Sequence, residues 1–498
     1  MNIVVFAAYA MNTPHFETEL ELAHTHADQG DHVTILTCGS ELESCDPNPY
    51  HDAPRCAKCM GRRDCGLKLI PPSIVTEPFY RLTDEDRRDL DQLQTRYDSH
   101  EALKKLTVGG FDIGYAALSS LITKMRDPEV NLTVHGTLLR ALLRAAWTVH
   151  RSMCRYLDTH DVDRVYVFNG RFAAMRAVLR ACQEKGVECF THERARDLSR
   201  YILLRNTTIH DVAFVHDLIW ETWHSAGVDS DREKVARAWY EARDRGEVDD
   251  GFVRDQRAKR LPADWDNDRR NITIFVSSED EFASVGDAWR NPLYKSQVEG
   301  IRAVIDSLED DPADLHLYVR THPNLALMDN VQTREIAKLA APFLTVIPPA
   351  DPVDTYEMMR NSTSVLTFGS TTGIEAVYWG APSILAGMSF YRDFGATYNP
   401  ATHEELIELL RQELEPRPIE PALVYAYFWP QFGVSFKYFT PDGFYSGRFK
   451  GVRIRPTKAA LIRMGLLRLI HHQRVARHLK NMFTKRLRML RNKLRRRV

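Results

Sequence analysis

Twice along this chain a short apolar run is followed by an amphipathic helical pattern and then by another short apolar run. That alternation restricts the fold to layered α/β. Residues 3–7 (Ile-Val-Val-Phe-Ala) form the first run, 18–29 carry helical periodicity, Gly30 and Asp31 punctuate the helix end, and 33–37 form the next run. A crossover of that length joins parallel strands, so a sheet covered on both faces is expected. A polar helical stretch at 83–106 and an amphipathic one at 138–157 lead to a second unit, with strand 164–168, helix 173–185 and strand 187–190. Residues 229–268 are highly charged and poor in apolar side chains, which marks a domain boundary. Beyond it, strands at 272–276, 315–319, 344–347, 364–368 and 383–385 alternate with helical patterns at 296–308, 333–341, 352–360 and 372–379, the rhythm of a doubly wound domain.

The 498 residues suit two such domains. The reading is a first domain over 1–250 with a cysteine-rich insertion at 38–65, a second over 270–454, and a tail over 455–498. The formal net charge of −1 hides an asymmetry. The tail holds 15 Lys or Arg and no Asp or Glu, leaving 51 basic against 67 acidic residues elsewhere, a net of −16. A basic tail on an acidic body points to a polyanionic partner for the tail. Leu479, Met482, Phe483, Leu487, Leu490 and Leu494 form a helical stripe with Lys and Arg around it, which suits an anionic membrane surface. No run approaches the roughly 20 apolar residues needed to span a bilayer, and the opening residues lack a basic export segment. The expected location is cytoplasmic, peripheral on the inner face of the membrane.

Five of the eight cysteines crowd one segment. Without an export signal, Cys38, Cys45, Cys56 and Cys59 read as metal ligands rather than as a disulfide frame, and the Cys56/Cys59 spacing is that of a structural zinc knuckle. Zinc is the expected ion, with an iron–sulfur cluster as the alternative. Buried free thiols are the plain alternative.

Two strand ends in the second half carry chemistry. Gly369-Ser370-Thr371-Thr372-Gly373-Ile374-Glu375 joins a buried strand to a helix, so small residues and free amides suit a phosphate, with Ser370, Thr371 and Thr372 reaching its oxygens and Glu375 reaching ribose hydroxyls. A capped turn is the structural alternative. Arg320-Thr321-His322-Pro323 ends another strand at the same sheet edge. There Arg320 offers bidentate contacts to phosphate and His322 a donor to an anionic oxygen or leaving group.

A strand ending in Arg-x-His-Pro, followed by a Gly-Ser-Thr-Thr-Gly-x-Glu-Ala turn, resembles the C-terminal half of GT-B glycosyltransferases of capsular and surface polysaccharide biosynthesis, including relatives that transfer Kdo. It is more distantly similar to polyglycerol-phosphate transferases and to sugar-nucleotide epimerases. The resemblance covers mostly residues 272–385. It implies two Rossmann-like domains facing a cleft and a nucleotide-sugar donor in the second, with His322, Ser370, Thr371, Thr372 and Gly373 at the phosphates and Glu375 near the ribose. Ser277 and Ser278, after the domain's first strand, match the cleft-facing loop. The acceptor it implies is a growing glycan, commonly lipid-linked.

In the first domain the loop after the first strand faces the same cleft. His15, Glu17 or Glu19 is then the general base an inverting transferase needs. Asn169 and Arg171 end one strand and His192, Glu193 and Arg194 another, where they could hold an anionic acceptor. Such chemistry needs no catalytic metal, because cationic side chains and amides stabilise the departing phosphate. A sugar-nucleotide epimerase or hydrolase of the same architecture is the first rival reading. A zinc-containing nucleic-acid-binding protein is the second, and the acidic body argues against it.

Overall fold

Asn2–Ala7 (β1), His32–Thr37 (β2), Val75–Pro78 (β3), Arg164–Phe168 (β4), Glu188–Arg194 (β5) and Arg200–Arg205 (β6) build a first sheet. Arg270–Phe275 (β7), Leu315–Arg320 (β8), Leu344–Ile347 (β9), Ser364–Thr367 (β10) and Ser383–Leu385 (β11) build a second. The structure, a computed structural model, describes residues 1–227, 230–247, 259–310, 312, 314–456, 459–462 and 464–466. Residues 3–7 of β1 and every residue of β8 are buried, as a parallel sheet covered on both faces requires.

The second sheet is wholly parallel in the order β11-β10-β7-β8-β9. Its first strand lies in the middle with later strands added on both sides, and at such a switch point the strand ends leave a crevice. In the first sheet β3, β2, β1, β4 and β5 are parallel in that order, β6 returns antiparallel on β5, and Val434–Ser435 (β12) adds to β6 from the far end of the chain. Helices Gly136–Thr159 and Ala173–Lys185 pack together over one face, burying Leu139, Leu143, Ala146, Val178 and Cys182 with Val165 and Val167 of β4.

The lobes divide the sequence differently from the charge pattern. Helices Val212–Ser225 and Arg232–Asp244, inside the expected first domain, bury Val215, Ile219, Trp223, Ala236 and Tyr240 against Ile374, Leu385, Val424 and Phe428 of the second lobe. In Arg232–Asp244 the few apolar residues fall on one helical face among many charges, so that stretch resembles a linker until its partner is known. Residues 434–454, expected in the second domain, fold back on the first. Glu21 accepts hydrogen bonds from the backbone N–H of Lys437 at 2.6 Å and of Phe439 at 3.0 Å, and Phe439, Phe449 and Ile454 join the core of Ile3, Val5 and Phe16. Phe439–Gly443 (β13) and Ser446–Phe449 (β14) form a hairpin within this segment.

Two local expectations also change. The stretch 83–106 is two short helices, Asp84–Gln92 and His100–Lys104, each started by a hydroxyl side chain (Thr83, Ser99) that accepts a backbone N–H. The cysteine-rich insertion, to which the sequence reading gives no secondary element, contains the helix Ala53–Gly66 with Pro54 in its first turn. The apolar stripe of the tail, Leu479 to Leu494, lies outside the described residues. Among those described, no helix is long and apolar enough to cross a membrane.

Candidate functional site

Register places the site. Phe275 of β7 lies level with Arg320 of β8 and with Thr367 of β10, so the chain leaves all three strands at one edge. A cavity of about 240 Å³ opens there, lined by Ser277, Ser278 and Glu281 after β7, by Arg320, His322 and Asn324 after β8, and by Gly369, Ser370, Thr371, Thr372 and Glu375 after β10. Arg196 reaches the same cavity from the first lobe, and Arg243 and Tyr356 close its floor. A larger cavity of about 750 Å³, between Arg176 and Arg180 on one side and Met388, Ser389 and Phe390 on the other, takes none of the residues singled out in the sequence. The smaller one gathers the convergent polar groups that define a ligand site.

The turn after β10 needs its glycines. Gly369 has φ +140°, and a Cβ there would stand 2.6 Å from the carbonyl oxygen of Met388. A Cβ on Gly373 would meet the Tyr391 hydroxyl and lie 2.9 Å from Thr367 Oγ1; Gly373 sits behind the cavity wall rather than on it. Ser370 Oγ accepts from the Thr372 hydroxyl at 2.7 Å and from its N–H at 3.3 Å. Glu375 is buried and spoken for. It accepts from Tyr356 Oη at 2.7 Å, Thr371 Oγ1 at 3.0 Å and the Arg243 guanidinium at 3.3 and 3.4 Å.

His322 Nδ1 accepts the Asn324 N–H at 3.1 Å, which leaves the proton of the neutral ring on Nε2. Burial, with the positive charges of Arg126 and Arg320, lowers its pKa to about 4. Arg320 spends its fork elsewhere. Its Nη1 and Nη2 donate to the carbonyls of Pro348 at 2.6 Å and Asp351 at 2.9 Å, bracing the loop after β9. Ser278 Oγ donates to Asp280 at 2.6 Å, while Ser277 is held by its backbone, its N–H donating to Gln297 and its carbonyl accepting from Gln332 at 2.7 Å.

Across the cleft, the ends of β1, β4 and β5 bring a second group together. His15 opens the helix His15–Asp28, lies tilted against Phe168 with ring centroids 4.0 Å apart, and places Nδ1 3.8 Å from Glu193 Oε1. Burial and the charge of Arg194 lower its pKa to about 3. Asn169, at φ +57°, donates to Glu193 Oε2 at 2.7 Å. Glu17 is buried and ion-paired with Arg62 of the cysteine-rich helix, which also donates to Thr13 Oγ1 at 2.5 Å. Glu19 lies 3.8 Å from His192 Nε2 in the interior, where burial and the charge of Glu17 hold its carboxyl well above the usual range. Arg171 turns to the opposite lobe and donates to Ser284 Oγ at 2.8 Å and to Ser119 and Thr123. Of the first-lobe residues expected in the cleft, His15, Asn169, Glu193 and Arg194 stay together at the strand ends; His192 and Glu19 are interior, and Arg171 joins the lobes.

The thiols of Cys38, Cys56 and Cys59 each have a donor in hydrogen-bond range: the Ser40 N–H at 3.3 Å, Asn48 Nδ2 at 3.2 Å and the Ala10 N–H at 3.3 Å. Cys45 pairs by its backbone with Asn48. These four sulfurs are not drawn into one tight ligand set. Among the described residues, the group of three or more potential ligand atoms within 4.8 Å of one another is His150, Cys154 and Glu184.

Residues 251–427 match the family model described as capsule polysaccharide biosynthesis protein. The match falls within the second lobe. The second lobe and its N-terminal counterpart, two α/β units that meet at the carboxyl edges of their sheets, form a GT-B architecture. Solved structures similar to the chain include the KpsC β-Kdo 2,4 transferase of Thermosulfurimonas dismutans, at 14% identity over 61% of this chain and 87% of that one with a TM-score of 0.35. The β-Kdo 2,7 transferase of the same organism has 17% identity over 64% and 88%, also with a TM-score of 0.35. The UDP-GlcNAc 2-epimerase of Methanocaldococcus jannaschii has 10% identity over 85% and 98%, with a TM-score of 0.24. No curated protein matches.

The cavity also shows what sequence reasoning passed over. Arg243 sits in the charged stretch read as a domain boundary, Tyr356 in the helical pattern at 352–360, and Arg196 just past the end of β5. Nothing in their local patterns marks them, since each acts through neighbours remote in the chain.

Proposed function

We propose that the protein is a glycosyltransferase that moves a sugar from a nucleotide-sugar donor to a growing surface polysaccharide. One observation carries this reading. His322 and the Ser370-Thr371-Thr372 turn from two strand ends of the second lobe converge on one cavity, and Arg196 of the opposite lobe lines it as well.

The donor phosphate would lie against His322 Nε2–H, the amides and hydroxyls of Ser370 and Thr372, and the Arg196 cation, with the nucleoside toward Arg243 and Glu375. His15 would take the proton. It is neutral at pH 7, and Glu193 at 3.8 Å stabilises the imidazolium that forms. The acceptor hydroxyl attacks the anomeric carbon as its proton passes to His15. The bond from that carbon to the phosphate oxygen breaks, and the electron pair leaves with the phosphate. Cationic side chains and hydrogen-bond donors supply the stabilisation, so no catalytic metal is part of the proposal.

The acceptor is a glycan, lipid-linked in this reading, and the basic tail would hold the enzyme to the anionic inner face of the membrane. The charge asymmetry supports this at about 1 kcal/mol for each basic residue near the headgroups. Cys38, Cys45, Cys56 and Cys59 would take up a structural zinc after side-chain rotation. The N–H groups aimed at three of the sulfurs favour bound thiolates.

A thermal-shift series with CMP, UDP, GDP and CDP tests the donor site, because a ligand at a hundred times its Kd stabilises by about 2.7 kcal/mol. Failure of every nucleotide to shift the midpoint would remove the reading. Incubation with nucleotide sugars alone separates it from the epimerase alternative, which would consume donor without an acceptor.

A further inference from the structure

At the tip of the β13–β14 hairpin, Phe444 and Tyr445 are exposed, Tyr445 to 75%. Tight turns are ordinarily built from Gly, Asn, Asp, Pro and Ser, so two adjacent large aromatics facing water there call for an explanation. The hairpin is not loosely hung. Phe439 and Phe449 at its base are buried in the first-lobe core, and Glu21 holds the incoming strand through backbone N–H groups.

Its tip is fixed over one side chain. The Arg194 guanidinium lies 3.9 Å from the Phe444 ring centroid and 5.0 Å from that of Tyr445, and the two rings stand edge to face at 4.7 Å. Arg194 Nη2 donates to the carbonyl of Thr13 at 3.2 Å, in the loop that leads to His15. Two residues further on, Arg196 lines the donor cavity. Through Arg194 the aromatic tip is tied to the loop that leads to the proposed base, and Arg194 is two residues from a side chain that lines the donor cavity.

We infer that Phe444 and Tyr445 form a platform for the pyranose units of the acceptor glycan adjoining the reacting hydroxyl. A pyranose ring carries one face of weakly positive C–H groups, complementary to the negative face of an aromatic ring, and its edge hydroxyls remain in water. Arg194 positions the pair by lying against both rings, nearer to Phe444, while the exposed remainder of the Tyr445 ring is open to the sugar. An exposed platform of this kind accepts a chain that grows, because it contacts one or two units and closes around none. The assignment rests on the transferase reading above.

The test uses the full-length protein and oligosaccharides released from the surface polysaccharide of the cells that make it. Tyr445→Ala is expected to weaken oligosaccharide binding by about threefold to tenfold, Tyr445→Phe to retain it, and both to keep the wild-type nucleotide thermal shift. Wild-type oligosaccharide affinity in both Phe444→Ala and Tyr445→Ala, with the nucleotide shift intact, overturns the platform and leaves the donor site standing. Weaker adsorption of Tyr445→Ala to phosphatidylglycerol-containing vesicles, with oligosaccharide binding unchanged, also overturns it and assigns the rings to lipid. If the wild-type protein binds neither nucleotide nor oligosaccharide, the transferase reading fails and the platform falls with it.

Discussion

Arg126, which caps the first-lobe helix Ile113–Met125, places Nε 2.6 Å from the buried Oδ2 of Asp280 in the second lobe. Its Nη2 also donates to Ser278 Oγ at 3.1 Å, and its carbonyl accepts from Asn330 Nδ2 at 2.7 Å. Arg126→Ala would leave a buried carboxylate without its cation. With Arg126 one-third exposed, the expected cost is roughly 1–3 kcal/mol, read as a lower urea midpoint. The same change should raise the pKa of His322, which Arg126 helps to depress, and an NMR titration of that ring would show it. An unaltered midpoint and titration would mean the pair links nothing.

His322→Ala is expected to reduce transfer by a hundredfold or more, on the order of what one donor to a developing oxyanion supplies, with far-UV spectrum and melting temperature close to wild type. The ring sits at the cavity wall and its removal opens little core. Near-normal turnover would take His322 out of the mechanism.

Acid should act on the same imidazoles. His15 and His322 have pKa values of about 3 and 4 in the folded protein against about 6.5 unfolded, so the unfolded chain binds more protons between those limits and stability falls as pH drops below 6.5. At pH 5 each costs roughly 2 kcal/mol. Glu279, pushed up to about 7 by burial, works the other way and loses stability as pH rises from 4.5 to 7. The double variant His15→Gln, His322→Gln should therefore lose less stability than wild type between pH 7 and pH 5, measured by urea unfolding. Equal losses would show that neither ring is buried neutral.

The thiols make a separate prediction. Protein grown with cobalt in place of zinc should show intense thiolate-to-metal absorption that disappears in Cys56→Ser, Cys59→Ser. Because Arg62, on the same helix, holds Glu17 and Thr13, removal of the metal should also lower the melting temperature. Protein with stoichiometric free thiols and no bound metal as isolated would dispose of the site.

β1, β2, β4, β5 and the five strands of the second sheet were legible as short apolar runs bounded by turn residues, whereas β6 was passed over and β3 and β12, largely exposed, present no such run; the two strand ends carrying Gly369 and His322 stood out because small or ionisable residues follow strands there. Arg320 misled, since an Arg after a strand looks the same whether its fork meets a phosphate or the carbonyls of Pro348 and Asp351. Arg171 misled in the same way, its partner Ser284 lying 113 positions ahead. The helix Arg232–Asp244 was hidden because its buried face is only Ala236 and Tyr240, too sparse to register as periodicity before Ala422 and Phe428 are placed against it.

The peptide chain passes between the lobes at two neighbouring places, once after β6 and once just before β12, and Arg200 of β6 grips the second crossing through the carbonyls of Gln431 at 2.6 Å and Gly433 at 3.2 Å. Two adjacent tethers behave as a door's paired pins. Relative motion of the halves is reduced to swinging about the line through them, so the cleft widens most at its far rim while the edge beside β6 keeps nearly constant spacing.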